Sequence, residues 1–438
     1  MRLQEIKKIS ATVSIILCLL LAGTTVVAPR LLCAEEVVGF ASCYTDEELA
    51  KVREWEKTWV GKKIDNTNVD QVAEFLPASY VNDIYKNYKQ WNEKQSYYFF
   101  IAPYQRYIDT PGMQEATKKY SSSVKTDAEG VIVNYAEGGG RPFPIPKTGL
   151  EIMYNFDFNN RGDARSYTRI GPVVETKSRR ERVSEQFQAE LFFIHRTDVD
   201  PKPAFPNNPK GIAKATFLNL FSPPEMLGTR MFNLRFQDVK KSDDGYLWYS
   251  QFRRIRRIQT SQRTDNIAGT DLIYDDENEY DSHVVLCNWK YIGKKDMLTA
   301  RHMPIPNKDW QRVEGQPIPN GVHRERVNLL VVEGVHKDPS YVYGRKVMYI
   351  DPESFICYWV EMYDNSGKYW KCFEDWTNVY KEEATGWGKF HDSGGIFIDF
   401  QRTHGGADTR VNVRVGIKEL DQSMFTINYL QKGSYGSH

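Results

Sequence analysis

The chain has 438 residues, with 58 Lys and Arg against 57 Asp and Glu, a net charge of +1. A balance this close gives no global pull toward nucleic acid or anionic membranes. Beyond the N-terminus no segment is long and apolar enough to span a bilayer, so the remainder is expected to be water-soluble.

The first residues have the layout of an export signal: basic Arg2, Lys7 and Lys8, an uncharged run from Ile9 to Ala28, then a polar stretch ending at Ala34 before Glu35-Glu36. Residues 1–34 carry Arg2, Lys7, Lys8, Arg30 and Glu5, so cleavage after Ala34 leaves 54 basic against 56 acidic side chains in a soluble periplasmic protein of net charge about −2. An uncleaved anchor is the alternative, since the uncharged run is just long enough to cross a bilayer. A lipid-modified cysteine is a third reading, but Leu32 stands before Cys33 where a small residue is needed, and Cys43 lies beyond the two glutamates. Cys18 and Cys33 leave with the signal, so Cys43, Cys287, Cys357 and Cys372 face an oxidising compartment. Cys357 and Cys372 are the candidate disulfide. They flank a turn at Asp364-Asn365-Ser366-Gly367; an even-length loop puts them on one face of a hairpin, a three-residue loop on opposite faces.

From Thr45 to about Tyr120 the apolar period is helical. Thr45 with Glu48 forms a capping box ahead of Leu49, Val52 and Trp55; Val72, Phe75 and Leu76 make a second short face ended by Pro77; Val81, Ile84, Tyr88 and Trp91 mark a third helix. Thr110-Pro111 reads as another cap. After the Gly138–Gly140 and Pro142–Pro146 breaker the period becomes two. Phe187, Ala189, Leu191 and Phe193 alternate with polar residues, as do Phe232, Leu234 and Phe236. Strands are expected at Asp243–Leu298, in three runs that include Gly269–Asp281, and at Val327–Val332, Tyr343–Ile350, Phe355–Tyr363, Tyr369–Trp376, Gly395–Arg402, Arg410–Ile417 and Met424–Leu430. Short turns between some of them predict an antiparallel meander. Two proline-rich loops, Asp198–Gly211 and Met303–Gly321, interrupt it. The expected organisation is a signal peptide (1–34), a helical segment (35–137) and a β domain (138–438).

Chemical motifs are sparse. His391-Asp392-Ser393-Gly394-Gly395 matches the nucleophile frame of chymotrypsin-like proteases, but His391 replaces the oxyanion-hole glycine and no frame for a base histidine precedes it, so a glycine-rich turn before Ile396 is expected. No His/Cys set has metal-ligand spacing, and no phosphate loop or dinucleotide fingerprint occurs; neither cofactor nor metal is expected. In Phe252–Ile258 the arginines split between both faces of a strand, which argues against a nucleic-acid stripe. Structural ion pairs from Arg254 and Arg256 to Asp275 and Asp276 are expected instead, with an anionic lipid head group as the second reading. The remaining signal is aromatic. A long antiparallel sheet curls, and one covered by few helices leaves an apolar face that must bury a ligand, a partner or a plug. Leu191, Phe193, Phe232, Leu234, Phe236, Tyr249, Trp289, Tyr291, Tyr349 and Trp359 are the expected wall of that cavity.

Several segments together carry a family likeness. They are Asn134-Tyr135 leading to Gly140–Pro144, Tyr154-Asn155-Phe156 with Gly162-Asp163, Trp248-Tyr249 with the arginine strand, Asp275-Asp276, Trp289–Gly293, Tyr343-Gly344-Arg345, Asp351-Pro352, and Tyr363-Asp364 with Gly367. As a set they resemble the domain-of-unknown-function family numbered thirteen twenty-nine, usually linked to the fold of outer-membrane lipoprotein-sorting and lipid-carrier proteins. The resemblance implies a mainly β (α+β) fold, a strongly curved antiparallel half-barrel closed by helices. It also implies a non-enzymatic periplasmic carrier or chaperone that shelters a lipid, acyl chain or lipoprotein during envelope transport, with an inner-membrane lipid exporter or outer-membrane acceptor as partner. The alternative is an assembly subunit of an envelope complex whose concave face binds another protein.

Overall fold

The computed structural model describes residues 42–432 apart from 136–137, 160, 176–179, 259–262, 267–269 and 304–309. The expected export signal, with Cys18 and Cys33, lies outside the described residues.

Helix α1 (Asp46–Trp59) begins at the expected capping box: the Glu48 N–H donates to Thr45 Oγ1 at 3.3 Å and the Thr45 N–H donates to the Glu48 carboxylate at 2.8 Å. The next two expected helices are short irregular turns, 3-10 over Val69–Phe75 and π over Tyr80–Lys86, because Pro77 interrupts the run before either can propagate. Helix α2 (Pro111–Tyr120) follows Thr110, whose hydroxyl caps the Met113 N–H at 3.3 Å. The same N-terminal stretch supplies strands β1 (Lys63–Ile64) and β2 (Phe99–Ala102), which join the main sheet, so the segment before residue 138 is more than a helical cover. Helix α3 (Gly149–Asp157), which no apolar period announced, has its own capping box at Thr148 and Glu151.

The remaining strands are β3 (Ala164–Glu175), β4 (Arg180–Phe192), β5 (Ile212–Ser222), β6 (Arg230–Phe236), β7 (Asp244–Tyr249), β8 (Arg254–Ile258), β9 (Cys287–Thr299), β10 (Val322–His336), β11 (Arg345–Ile350), β12 (Cys357–Tyr363), β13 (Tyr369–Lys381), β14 (Gly388–Asp399) and β15 (His404–Val415). They form one 15-stranded sheet in the order β1-β2-β10-β11-β12-β13-β14-β15-β3-β4-β5-β6-β7-β8, with β9 also on β10. Apart from the parallel β2–β10 pair every neighbour pairing is antiparallel, as the turn pattern predicts. Register shifts interrupt the ladders at Val331/Val332, Tyr349/Ile350, Met362/Tyr363, Trp376/Thr377, Val411/Arg414, Glu185/Gln186 and Ile212/Lys214. Each such bulge adds local twist, and together they curl the sheet.

Apolar side chains collect in three clusters. The first packs the N-terminal helices and turns against one face of β9–β14, through Val72, Tyr80, Trp359 and Trp376. On the opposite face of those strands α3 and residues 272–287 pack on Val332, Met348, Val360 and Phe373. The third lies on β4–β6, where Ile417, Met424, Phe425 and Leu430 from the C-terminal segment cover Leu191, Phe193, Phe217, Phe232 and Leu234.

Four expectations fail here. Met424–Leu430 is a 3-10 turn (Gln422–Phe425) followed by helix α4 (Ile427–Lys432), not a strand. Residues 274–279 are a kinked 3-10 segment rather than a strand. His391–Gly395 is no turn: it runs inside β14, and Ser393 falls at the register shift between Asp392, opposite Thr377, and Gly394, opposite Trp376. Gly394 is required there by close approach, since a Cβ would stand 2.3 Å from the Asp408 carbonyl oxygen. Finally, Cys357 and Cys372 are separate buried thiols. Cys372 pairs with Glu361, four residues from Cys357, and the bulge between Cys357 and Trp359 turns Cys357 to the opposite face.

Candidate functional site

Strands β3 to β8, with β14 and β15, turn one face toward a common space, and Arg263 with the segment 270–281 borders its open side. The space is about 150 Å³. Its wall is apolar through Val173 (β3), Leu218 and Leu220 (β5), Met231 (β6), Ile258 (β8) and Phe397 (β14). These residues follow from strand alternation: in β5 the face bearing Ala215 and Phe217 meets the C-terminal segment, so Thr216, Leu218 and Leu220 face the cavity.

Charge lines the same space. Arg169, Lys214 and Arg263 face it with Asp243, Glu277, Asp281 and Asp408. Lys214 donates to Asp281 at 2.5 Å, and Arg235 reaches Asp281 at 2.9 Å. Arg263 bridges Asp275 (2.6 Å), Asp243 (2.7 Å) and Asp281 (3.5 Å). Burial alone would raise the Asp281 carboxyl, but Arg235, Lys214 and Arg263 outweigh it and hold it well below the usual carboxylate range. Asp408 is pushed up by burial, which the neighbouring Arg169 only partly offsets.

A second cavity, about 470 Å³, lies beyond Lys214, which lines both. Val131, Tyr154, Phe158, Ile194, Phe236 and Val285 contribute its apolar wall. His195 stacks 4.1 Å from the Phe158 ring and hydrogen-bonds the Gly138 carbonyl at 3.2 Å. Burial depresses its pKa to about 4, so the ring is neutral at pH 7.

Among the ten residues expected to wall the cavity, only Phe236 touches either space. Leu191, Phe193, Phe232 and Leu234 lie on the other face of β4–β6, sealed by the C-terminal segment. Trp359 is fully buried and donates its indole N–H to the Leu298 carbonyl at 3.0 Å; Tyr349 beside it donates to Glu361 at 2.7 Å. Trp289 stands opposite Gly334, where a Cβ would come within 2.1 Å of its ring, and donates to the Val284 carbonyl at 2.6 Å. Tyr291 is half-buried beside the second cluster, and Tyr249 packs edge-on to Phe252 at 6.2 Å. The alternation was read correctly but assigned to the wrong side. Met424–Leu430, expected to be a strand, is a turn and helix that cover the more apolar face of β4–β6. Mixed apolar and polar residues at Thr216, Leu218 and Leu220 were the available signal for the true wall.

The expected ion pairs also change partners. Arg254 and Arg256 are exposed, and neither meets a carboxylate among the described residues. Asp275 takes Arg263 and the Tyr341 hydroxyl (2.9 Å); Asp276 takes Lys346 (2.7 Å) and the Tyr343 hydroxyl (2.6 Å). The acidic run folds back across the sheet instead of pairing with the neighbouring strand, which places it out of reach of β8.

Away from both cavities, Cys43, Asp351 and Glu353 converge within 4.8 Å of one another. Arg301 occupies the position a cation would take, 2.7 Å from Glu353 and 3.4 Å from Asp351, and the Tyr104 hydroxyl donates to Glu353 at 2.5 Å. Burial first, then the two carboxylates, pushes the Cys43 thiol up. No helix among the described residues is long and apolar enough to cross a membrane.

The uncharacterized protein PA3922 of Pseudomonas aeruginosa is 23% identical over 317 residues, 66% of this chain and 67% of its own length. Among solved structures, a DUF1329 family protein from Desulfovibrio piger aligns at TM-score 0.47 and 12% identity, over 64% of this chain and 97% of its own. A putative outer membrane lipoprotein-sorting protein domain from Vibrio parahaemolyticus aligns at 0.46 and 15%, over 65% and 98%. The LolA superfamily protein NE2245 from Nitrosomonas europaea aligns at 0.40 and 11%, over 65% and 100%. The profile of the family described as "Protein of unknown function (DUF1329)" matches residues 63–431, and the chain belongs to that family.

Proposed function

We propose that the protein is a non-enzymatic carrier of the periplasm that shelters a lipophilic ligand, a lipid or acyl chain or the acylated end of a lipoprotein, during envelope transport. The observation that carries this reading is the apolar wall of Val173, Leu218, Leu220, Met231, Ile258 and Phe397, drawn from five strands and facing the segment 270–281 across a partly open space. An apolar wall of this kind gains by burying hydrocarbon at about 25 cal/mol per Å². The second cavity, with its neutral His195 and stacked aromatic rings, extends the space available to a chain. A membrane-bound donor or acceptor, an inner-membrane lipid exporter or an outer-membrane receptor, is the partner this role requires.

The test is a titration of delipidated protein with fatty acids of increasing length, followed by tryptophan fluorescence and melting temperature. Each added methylene is expected to contribute up to about 0.8 kcal/mol until the cavities are full. Bound ligand raises the melting temperature by mass action. Affinity that does not depend on length rejects the carrier. A stoichiometric protein partner in detergent-free native mass spectra, with no lipid, would then favour the assembly-subunit reading.

A further inference from the structure

We propose that the segment Asp271–Asp281 is an internal stand-in for an anionic head group, and that the ligand of the cavity is an anionic amphiphile, carboxylate- or phosphate-headed, which displaces it. This rests on the carrier reading and names its ligand class.

The segment holds six acidic residues in eleven positions: Asp271, Asp275, Asp276, Glu277, Glu279 and Asp281. Their partners come from widely separated parts of the sheet. Arg161, just before β3, meets Glu279 at 2.7 Å; Arg169 on β3 meets Glu277 at 3.5 Å; Lys214 on β5 and Arg235 on β6 meet Asp281; Lys346 on β11 meets Asp276 at 2.7 Å. Of these cations Arg169 and Lys214 line the apolar cavity, and a cavity meant for hydrocarbon alone has no use for them, each being costly to desolvate without an anion beside it. The crossing segment supplies that anion to Lys214 through Asp281 and shares it with Asp408, 2.9 Å away, at Arg169.

Three features make the segment displaceable. It has little regular backbone structure, and Asn278 and Glu279 sit at φ +49° and +70°, a left-handed pair that non-glycine residues adopt at a cost. The pairs nearest the cavity are partly open to water, with side-chain exposures of 16% and 21% for Arg169 and Glu277 and of 16% and 15% for Lys214 and Asp281. Arg169 and Lys214 also line the apolar space beside Leu218 and Met231, so one molecule can bury its chain there and place its head on those two cations. Lys214 lines both cavities, so a head group held there borders each of them.

The experiment uses the full chain, delipidated, with four probes: oleate, oleyl alcohol, oleoyl lysophosphatidate and inorganic phosphate. Oleate and the lysophosphatidate are expected to bind about tenfold or more tighter than the alcohol at low salt, with the gap closing near 1 M salt. Hydrogen exchange of the 271–281 amides is expected to accelerate with the two anionic amphiphiles and to stay unchanged with the alcohol. Glu277→Gln, which loosens the stand-in, is expected to raise affinity for the anionic probes severalfold and leave the alcohol as it was. Should that variant fold poorly, exchange in the unaltered protein decides the matter. Equal binding of oleate and oleyl alcohol overturns the inference while the carrier stands. No binding of any amphiphile overturns both. Release of the segment by inorganic phosphate alone makes the ligand a free anion and overturns the amphiphile assignment.

Discussion

Replacing Asp281 by Asn keeps the shape of the side chain and removes the charge shared by Lys214, Arg235 and Arg263. The three cations do not lose equally. Lys214, 16% exposed, recovers water, and Arg263 keeps Asp275 and Asp243, whereas Arg235 is 6% exposed and retains only Asp157 at 3.4 Å. Leaving one partner of a buried pair uncompensated costs about 3–5 kcal/mol, and because only one of the three cations is left in that state, Asp281→Asn falls near the lower end, about 3 kcal/mol at pH 7. The pH dependence follows from the depressed pKa of Asp281. The folded state binds fewer protons at this carboxyl than the unfolded chain does, so its stabilisation is present above the unfolded value of about 4 and is lost as pH falls through the lower folded value. Urea unfolding of the two proteins at steps from pH 7 to pH 3 therefore gives curves that lie apart at neutral pH and converge below about pH 4. A gap under about 0.5 kcal/mol at pH 7, or one constant across the range, would refute the claim that Asp281 pins the crossing segment.

Phe232→Ala and Leu430→Ala remove side chains 2% and 0% exposed in the cluster under the C-terminal segment, and each is expected to cost about 2–5 kcal/mol in denaturant melts. Fatty-acid affinity should be unchanged in both; lost binding would return that face to the ligand. Arg254→Ala and Arg256→Ala are expected to shift stability by less than about 0.5 kcal/mol, and a larger loss would reveal a partner for the arginine strand. Unfolding purified protein without reductant in the presence of an alkylating agent should label Cys357 and Cys372 singly, whereas a cross-linked peptide in the digest would restore the disulfide.

The meander was legible because period-two alternation and turn residues are local properties, and β10–β15 appear close to where they were expected. The capping boxes at Thr45 and Thr148 work by the same local chemistry, but the second opens a helix of only nine residues, too short to repeat an apolar period clearly. What local pattern cannot state is which face another segment will cover. Met424–Leu430 was expected to be a strand; as a turn and a helix it joins Ile417 in sealing β4–β6, so Leu191, Phe193, Phe232 and Leu234 are covered and Phe236 alone of the expected residues there meets a cavity. The charges failed for a related reason. Asp275 and Asp276 were matched to the basic strand nearest in sequence, while their partners, Arg263, Lys346, Tyr341 and Tyr343, are brought together by the fold.

An open sheet has to end, and this one ends at β8. The last strand of a sheet presents unpaired backbone donors and acceptors to any other extended chain, and several copies can grow into aggregates through such borders. Here that border is RIRRI, with Arg254, Arg256 and Arg257 exposed on alternate sides and only Arg257 tethered, to Asp244 at 2.7 Å. A second copy docking along β8 would bring like charges together on both sides. On the other side the sheet finishes with β1, two residues long and too short to template much, and with β9, which pairs only with β10 among the described residues and carries the exposed charges Lys290, Lys294 and Lys295. The arginines of β8 are therefore expected to guard solubility, and exchanging them for Val or Thr should leave each molecule folded while making concentrated solutions cloud.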